Sequence, residues 1–157
     1  MEPAAPVTGP SAKVALRGPE GQVETLWAFD LGGGRYRLDN LPWYAYRVSL
    51  GDVVEASLDA DGQLQMVGIV SKSGNRTVRL VFEDVDLRTD WESEIQEVMD
   101  WLVARGCSYE GASHRYQAVN VPPEVELDAV ATYLTERDVR WEYADPTYED
   151  LHGESLH

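Results

Sequence analysis

The chain has 157 residues, with 13 Lys and Arg against 28 Asp and Glu, a formal net charge of −15. Its 43% apolar and 26% charged residues are the balance of one globular domain or two small ones, not of a disordered chain. No run approaches the ~18 apolar residues of a membrane span, the lone Cys107 excludes an internal disulfide framework and a multi-cysteine zinc site, and the acidity disfavours binding to a phosphate backbone. Residues 1–18 carry neither a basic start nor a continuous apolar stretch, so no secretory signal is visible and a cytoplasmic location is expected.

In chain order, residues 1–12 hold Pro3, Pro6 and Pro10 without periodicity and read as a mobile leader. From Lys13 the pattern is two-residue alternation broken by turn residues every eight to ten positions. Strands are expected at 14–16, 23–29, 35–38, 44–49, 53–58, 63–70 and 76–82, separated by Gly18-Pro19, Gly32-Gly33-Gly34, Asn40-Leu41-Pro42, Gly51-Asp52, Asp59-Ala60-Asp61-Gly62 and Ser73-Gly74-Asn75. Short strands at this spacing predict a small curved β-barrel or meander over residues 13–83. The glycine triplet has no following Lys-Ser/Thr pair, so it reads as a hairpin turn rather than a phosphate loop. The Asp59 turn lacks a calcium loop's twelfth-position Glu, since Val70 stands there.

The second part changes period. Thr89-Asp90-Trp91-Glu92 is a capping box, and Trp91, Ile95, Val98, Met99 and Leu102 form one apolar stripe of a helix ending at Gly106. Strands at 107–112 and 115–121, a helix at 124–137 behind Pro122-Pro123, and a strand at 139–143 complete the order β-α-β-β-α-β. With the strand before Glu83, this predicts an α+β chain: the barrel followed by a ferredoxin-like unit over residues 77–144 that shares the boundary strand. Its sheet face away from the helices is expected to carry Arg79, Val81, Gln117, Val119, Arg140 and Glu142. Residues 145–157 read as an acidic, fraying tail.

Charge is unevenly divided. Through Glu83 there are eight basic and ten acidic residues; from Asp84 onward there are five and eighteen, with no lysine. Such asymmetry points to two faces with different tasks.

The motifs Glu24-Thr25-Leu26-Trp27-Ala28, Tyr36-Arg37-Leu38-Asp39-Asn40 with Pro42 and Tyr44, Ser49-Leu50-Gly51-Asp52-Val53-Val54-Glu55-Ala56, and Ser73-Gly74 give residues 13–143 a likeness to a known group. The stretch resembles the bacterial family called domain of unknown function 4265. The resemblance implies this two-part architecture and a bacterial origin.

Three clusters could carry chemistry. Cys107 and His114 flank the hairpin between the two middle strands and could pair as thiol and imidazole, but Cys107 follows a helix C-terminus, which opposes a thiolate. Asp84, Asp86 and Asp90, beside Glu83, offer oxygen ligands to a hard cation, without the fixed spacing of a metal loop; the plainer reading is a solvated acidic loop. Glu94, Glu97 and Asp100 lie off the apolar stripe of the first helix, with Trp101 and Gln96 beside them. Trp101 is either a contact beneath the barrel or an anchor for a partner. The expectation is therefore a non-enzymatic acidic interaction protein, without cofactor or metal, that binds a basic protein partner through Glu94, Glu97, Asp100 and Trp101 and binds neither nucleic acid nor membrane. Its sharpest form is an immunity protein or inhibitor of a basic toxin. The alternatives are a ligand-sensing ferredoxin-like regulator and a small metal-dependent enzyme using Asp84, Asp86 and Asp90.

Overall fold

Alternation of inward and outward side chains in the first seventy residues closes a barrel. In the computed structural model, which describes residues 9–82, 91–113 and 115–153, strands β1 (Ala12–Arg17), β2 (Val23–Gly32), β3 (Arg35–Leu38), β4 (Val53–Leu58) and β5 (Leu64–Ser71) pair in sequence. β5 then meets β1 in parallel at Val14 and Ala15. Val14, Leu16, Leu26, Ala28, Leu38, Val48, Val54 and Ala56 fill the interior. Gly32, Gly33 and Gly34 all take positive φ in the β2–β3 turn, which side chains with a Cβ resist.

The second layer begins at β6 (Arg76–Val81), followed by α1 (Trp91–Ala104), β7 (Ser108–Ser113), β8 (Tyr116–Val121), α2 (Leu127–Glu136), β9 (Arg140–Asp145) and α3 (Tyr148–His152). Its four strands form an antiparallel sheet in the order β7-β8-β6-β9. The apolar stripe of α1 (Val98, Met99, Leu102) and that of α2 (Leu127, Val130, Leu134) share one core with Val78, Leu80, Val119 and Val121. Both helices therefore cover one face of the sheet. The other face carries Thr77 and Arg79, which bond to residues 42–49 between β3 and β4.

Four expectations are corrected. Residues 44–49 are not a strand, because apart from the Arg47 N–H, which meets the Ala144 carbonyl, side chains rather than a neighbouring strand take up their main-chain groups, as described below. On β8 the faces are reversed: Gln117 pairs opposite Leu80 and Val119 opposite Val78, so both lie on the helix-covered face and Ala118 stands opposite Arg79. Helix α2 starts three residues later than the sequence pattern suggests, because Val125 N–H first closes a turn onto the Pro122 carbonyl. The chain beyond Asp145 is not simply a fraying tail: Thr147 and Asp150 form a reciprocal capping box that starts α3. The leader up to Thr8, the Glu83–Asp90 acidic loop with its Thr89 cap, His114 and the last four residues lie outside the described residues.

Candidate functional site

Residues 39–50 cross from barrel to sheet as a strap that joins no strand ladder; apart from single bonds of Asp39 to Trp27 and of Arg47 to Ala144, its polar groups need other acceptors or donors. Glu24, buried on β2, accepts the N–H groups of Trp43 (2.7 Å), Tyr44 (2.8 Å) and Ala45 (2.9 Å). Glu110 of β7 accepts Leu41 N–H (2.7 Å) and the Asn40 amide (3.1 Å); burial raises its pKa, and those two donors oppose the rise. Arg79 on β6, only 1% exposed, donates to the carbonyls of Pro42 (3.2 Å) and Ala45 (2.9 Å) and to Glu142 (3.2 Å). Its guanidinium also lies 4.6 Å from the centre of the Tyr46 ring. Burial, then a 2.7 Å hydrogen bond to Glu142, pushes the Tyr46 hydroxyl up to about 12.

A second polar cluster joins the layers beside the strap. Lys72 donates to Asp52, to Asp145 (2.7 Å) and to the Arg47 carbonyl (2.9 Å). The single proton of Ser49 goes to Asp145 at 2.6 Å, so Thr77 donates to Ser49 at 2.8 Å. Asp52 also accepts the N–H groups of Ser49 and Ser73, both at 2.8 Å.

Beside these braces, with Tyr46, Arg47 and Glu142 in its lining, runs a groove of about 1330 Å³. Arg17, Gly18 and Pro19 at the end of the barrel and Tyr46 and Arg47 of the strap line one side. Ala131, Thr132, Thr135 and Glu136 of α2 line the other, and Thr147, Tyr148, Glu149 and His152 close one end. Between them run Trp141, Glu142 and Tyr143 of β9. Trp141 and Tyr143 pack on the helix side, while Glu142 points to Arg79 and Tyr46 on the barrel side. A groove lined from both faces of a sheet must follow the sheet's edge, and β9 is the edge strand. Trp141 and Tyr143 meet edge to face at 4.7 Å, and Trp141 Nε1 donates to Thr135 Oγ1 at 3.2 Å, which fixes the ring. Arg47 is held in the left-handed region (φ 65°) and reaches Asp150 at 3.2 Å.

The expected partner face is exposed on α1 at Glu94, Glu97 and Asp100, but its members are drawn into contacts within the protein. Glu97 pairs with Arg137 of α2 at 2.9 Å, and Asp100 accepts from Gln96 at 2.7 Å. Trp101 is not under the barrel. Its ring stacks on Tyr133 of α2 at 3.7 Å and 5°, and Arg105 lies over it at 3.7 Å, so both faces are covered. Cys107 is buried, and burial pushes its thiol up to about 11 against the pull of Arg76 and Arg105. Such a thiol is a poor nucleophile at neutral pH. Its proposed partner His114 and the carboxylates Asp84, Asp86 and Asp90 lie outside the described residues. Among the described residues no three His, Cys, Asp or Glu side chains gather as metal ligands, and no helix is long and apolar enough to cross a membrane. The groove was missed from sequence because Trp141 and Tyr143 read simply as a half-buried strand; the missed signal was the concentration of aromatic residues among carboxylates in 141–149.

Fold and groove together define an α+β protein: a closed five-stranded barrel strapped to an antiparallel sheet with helices, and a cleft along the sheet edge. Residues 24–143 match the family model described as Domain of unknown function (DUF4265), and the chain belongs to that family. Among solved structures it is similar to a hypothetical protein from Neisseria gonorrhoeae, described as a novel crystal structure. That protein is 19% identical, with a TM-score of 0.67 over 87% of this chain and 96% of the other, a likeness of fold. No curated protein matches the chain.

Proposed function

We propose that this protein is a non-enzymatic, acidic binding module that takes a basic protein partner in the groove along β9. The observation that carries the reading is the groove itself. At about 1330 Å³ it exceeds the roughly 300–1,000 Å³ typical of small-molecule sites. Four rings, Tyr46, Trp141, Tyr143 and Tyr148, offer rigid apolar contact of the kind that anchors protein partners. Glu136, Glu142 and Glu149 add carboxylates to its walls, in a chain of net charge −15 that would steer a basic partner toward it. The covered faces of Trp101 favour this groove over the outer face of α1 as the anchor site. We read the second unit as ferredoxin-like, on the support of its β-α-β-β-α-β order and its 2-3-1-4 strand arrangement, in which β9 is the last and outermost strand.

The test is a purified partner. A protein captured from the source cell and then purified should be basic and should bind the isolated chain directly, with affinity that falls as salt rises. Trp141→Ala should weaken it about tenfold or more while leaving the melt cooperative. A partner that is acidic, or whose affinity is the same for the parent and Trp141→Ala, would overturn the reading.

A further inference from the structure

Resting on the reading of the groove as the partner site, we infer that the groove binds its partner as an added β-strand: an extended, basic segment pairs with the outer edge of β9. Among the described residues the sheet has no strand beyond β9, and on its outer side the carbonyl of Ala144 already accepts the N–H of Arg47 from the strap at 2.8 Å. That bond shows that main chain can approach this edge at hydrogen-bonding distance. The strap leaves after one such bond, so among the described residues no strand lies along the outer edge of Trp141–Tyr143. An open edge in a cleft is the arrangement in which a peptide gains affinity from main-chain hydrogen bonds and specificity from alternate side-chain pockets.

The walls suit the two faces of such a strand. Side chains of an added strand alternate, as those of β9 do. One face would lie against Trp141, Tyr143 and the α2 residue Ala131, an apolar surface; the other would lie toward Glu142 and Tyr46 on the barrel side. A basic occupant is chosen by charge. Around the groove the carboxylates Glu136, Glu142, Glu149 and Asp150 face the cations Arg17, Arg47 and Arg79, with Glu142 paired to Arg79 and Arg47 shared by Glu149 and Asp150, so the local balance is one negative charge in a chain of net charge −15. A second copy of the chain would bring another fifteen negative charges to this site, which disfavours pairing of β9 with itself.

The experiment uses the full chain and an N-acetylated, C-amidated octapeptide of alternating arginine and valine, followed by calorimetric titration and amide hydrogen exchange. Binding should weaken with salt, should slow exchange in Arg140–Asp145 about tenfold or more, and should fall about tenfold when alternate peptide amides are N-methylated on the edge facing β9. A glutamate-valine octapeptide should not bind. Retained affinity after N-methylation of either edge, or unchanged β9 exchange at saturating peptide, overturns strand addition. If the purified basic partner nevertheless still depends on Trp141, the broader binding function stands without it. Equal binding of the glutamate and arginine peptides removes the basic specificity of both readings. A concentration-dependent dimer in sedimentation that protects β9 without peptide identifies a second copy as the occupant and likewise overturns the proposal.

Discussion

Single side chains do the work that a strand would otherwise do between the two layers. Glu24 is 8% exposed and holds three consecutive N–H groups; nothing else described is positioned to accept all of them. Glu24→Gln keeps one acceptor but turns a donor toward those N–H groups, so it should cost about 2–4 kcal/mol. Urea denaturation should show the midpoint falling with an unchanged slope; a midpoint equal to that of the parent would falsify this role for Glu24. Cys107 supplies a pH signature. Its thiol moves from an ordinary value of 9 to about 11 in the folded protein because it is buried. The folded state therefore holds that proton when the unfolded chain has lost it, and the associated stability is complete below pH 9 and disappears as pH rises to about 11. The difference in unfolding free energy between the parent and Cys107→Ala should shrink by about 2–3 kcal/mol across that window. A pH-independent difference would mean that the thiol titrates normally.

At the scale of elements, α1 and α2 are locked to each other by a ladder on their outer surface as well as by their shared core. Arg105, Trp101 and Tyr133 stack in succession, and Arg137 lies 5.9 Å from the Tyr133 ring while bonding to Glu97. Residues expected to form a docking face are thus partly used for helix pairing. Reversing Glu94 and Glu97 to Lys should slow association of a basic partner and flatten its salt dependence, with little change in dissociation, since rim charges act mainly on encounter. Stopped-flow rates would check this; a tenfold faster dissociation would return the anchor to α1. Helix α3 is a contrasting case, with no buried residue. It is positioned by the Thr147–Asp150 box and by exposed contacts from Arg47, and contacts of that kind contribute little each.

For the whole molecule, the joint between barrel and sheet rests on buried charge. Asp52 and Asp145 approach one ammonium, Lys72, whose side chain is 44% exposed, and Ser49 donates to both carboxylates, its N–H to Asp52 and its hydroxyl to Asp145. Lys72→Met would leave two carboxylates facing each other across the joint. The expected loss is about 1–3 kcal/mol, below the cost for a fully buried pair because water reaches Lys72. The result should appear as faster exchange of amides in the strap before any change in the core of either layer. Uniform loss of protection throughout the chain would show that the two layers unfold only as one.

Much of this architecture is local and therefore written in the order of residues. Alternation in 23–29, 35–38 and 53–58 and the stripe Ile95, Val98, Met99 and Leu102 each bury one side of a segment, and burial of that side is decided by spacing alone. Turn chemistry is equally local: three successive glycines accept positive φ wherever they occur. The strap at 39–50 was illegible for the opposite reason. Its β-like alternation is real, but its amides are taken by Glu24 and its carbonyls by Arg79, roughly twenty and thirty-five positions away, and no local pattern announces such partners. The faces of β8 were misassigned because its residues on both faces, the one under the helices and the one toward the strap, are largely buried, so alternation carries no contrast. The groove depended still more on tertiary structure. Composition established an acidic, aromatic-rich chain, but which carboxylates and rings share a wall was decided when β9 became the outermost strand and the barrel was strapped against the face behind it.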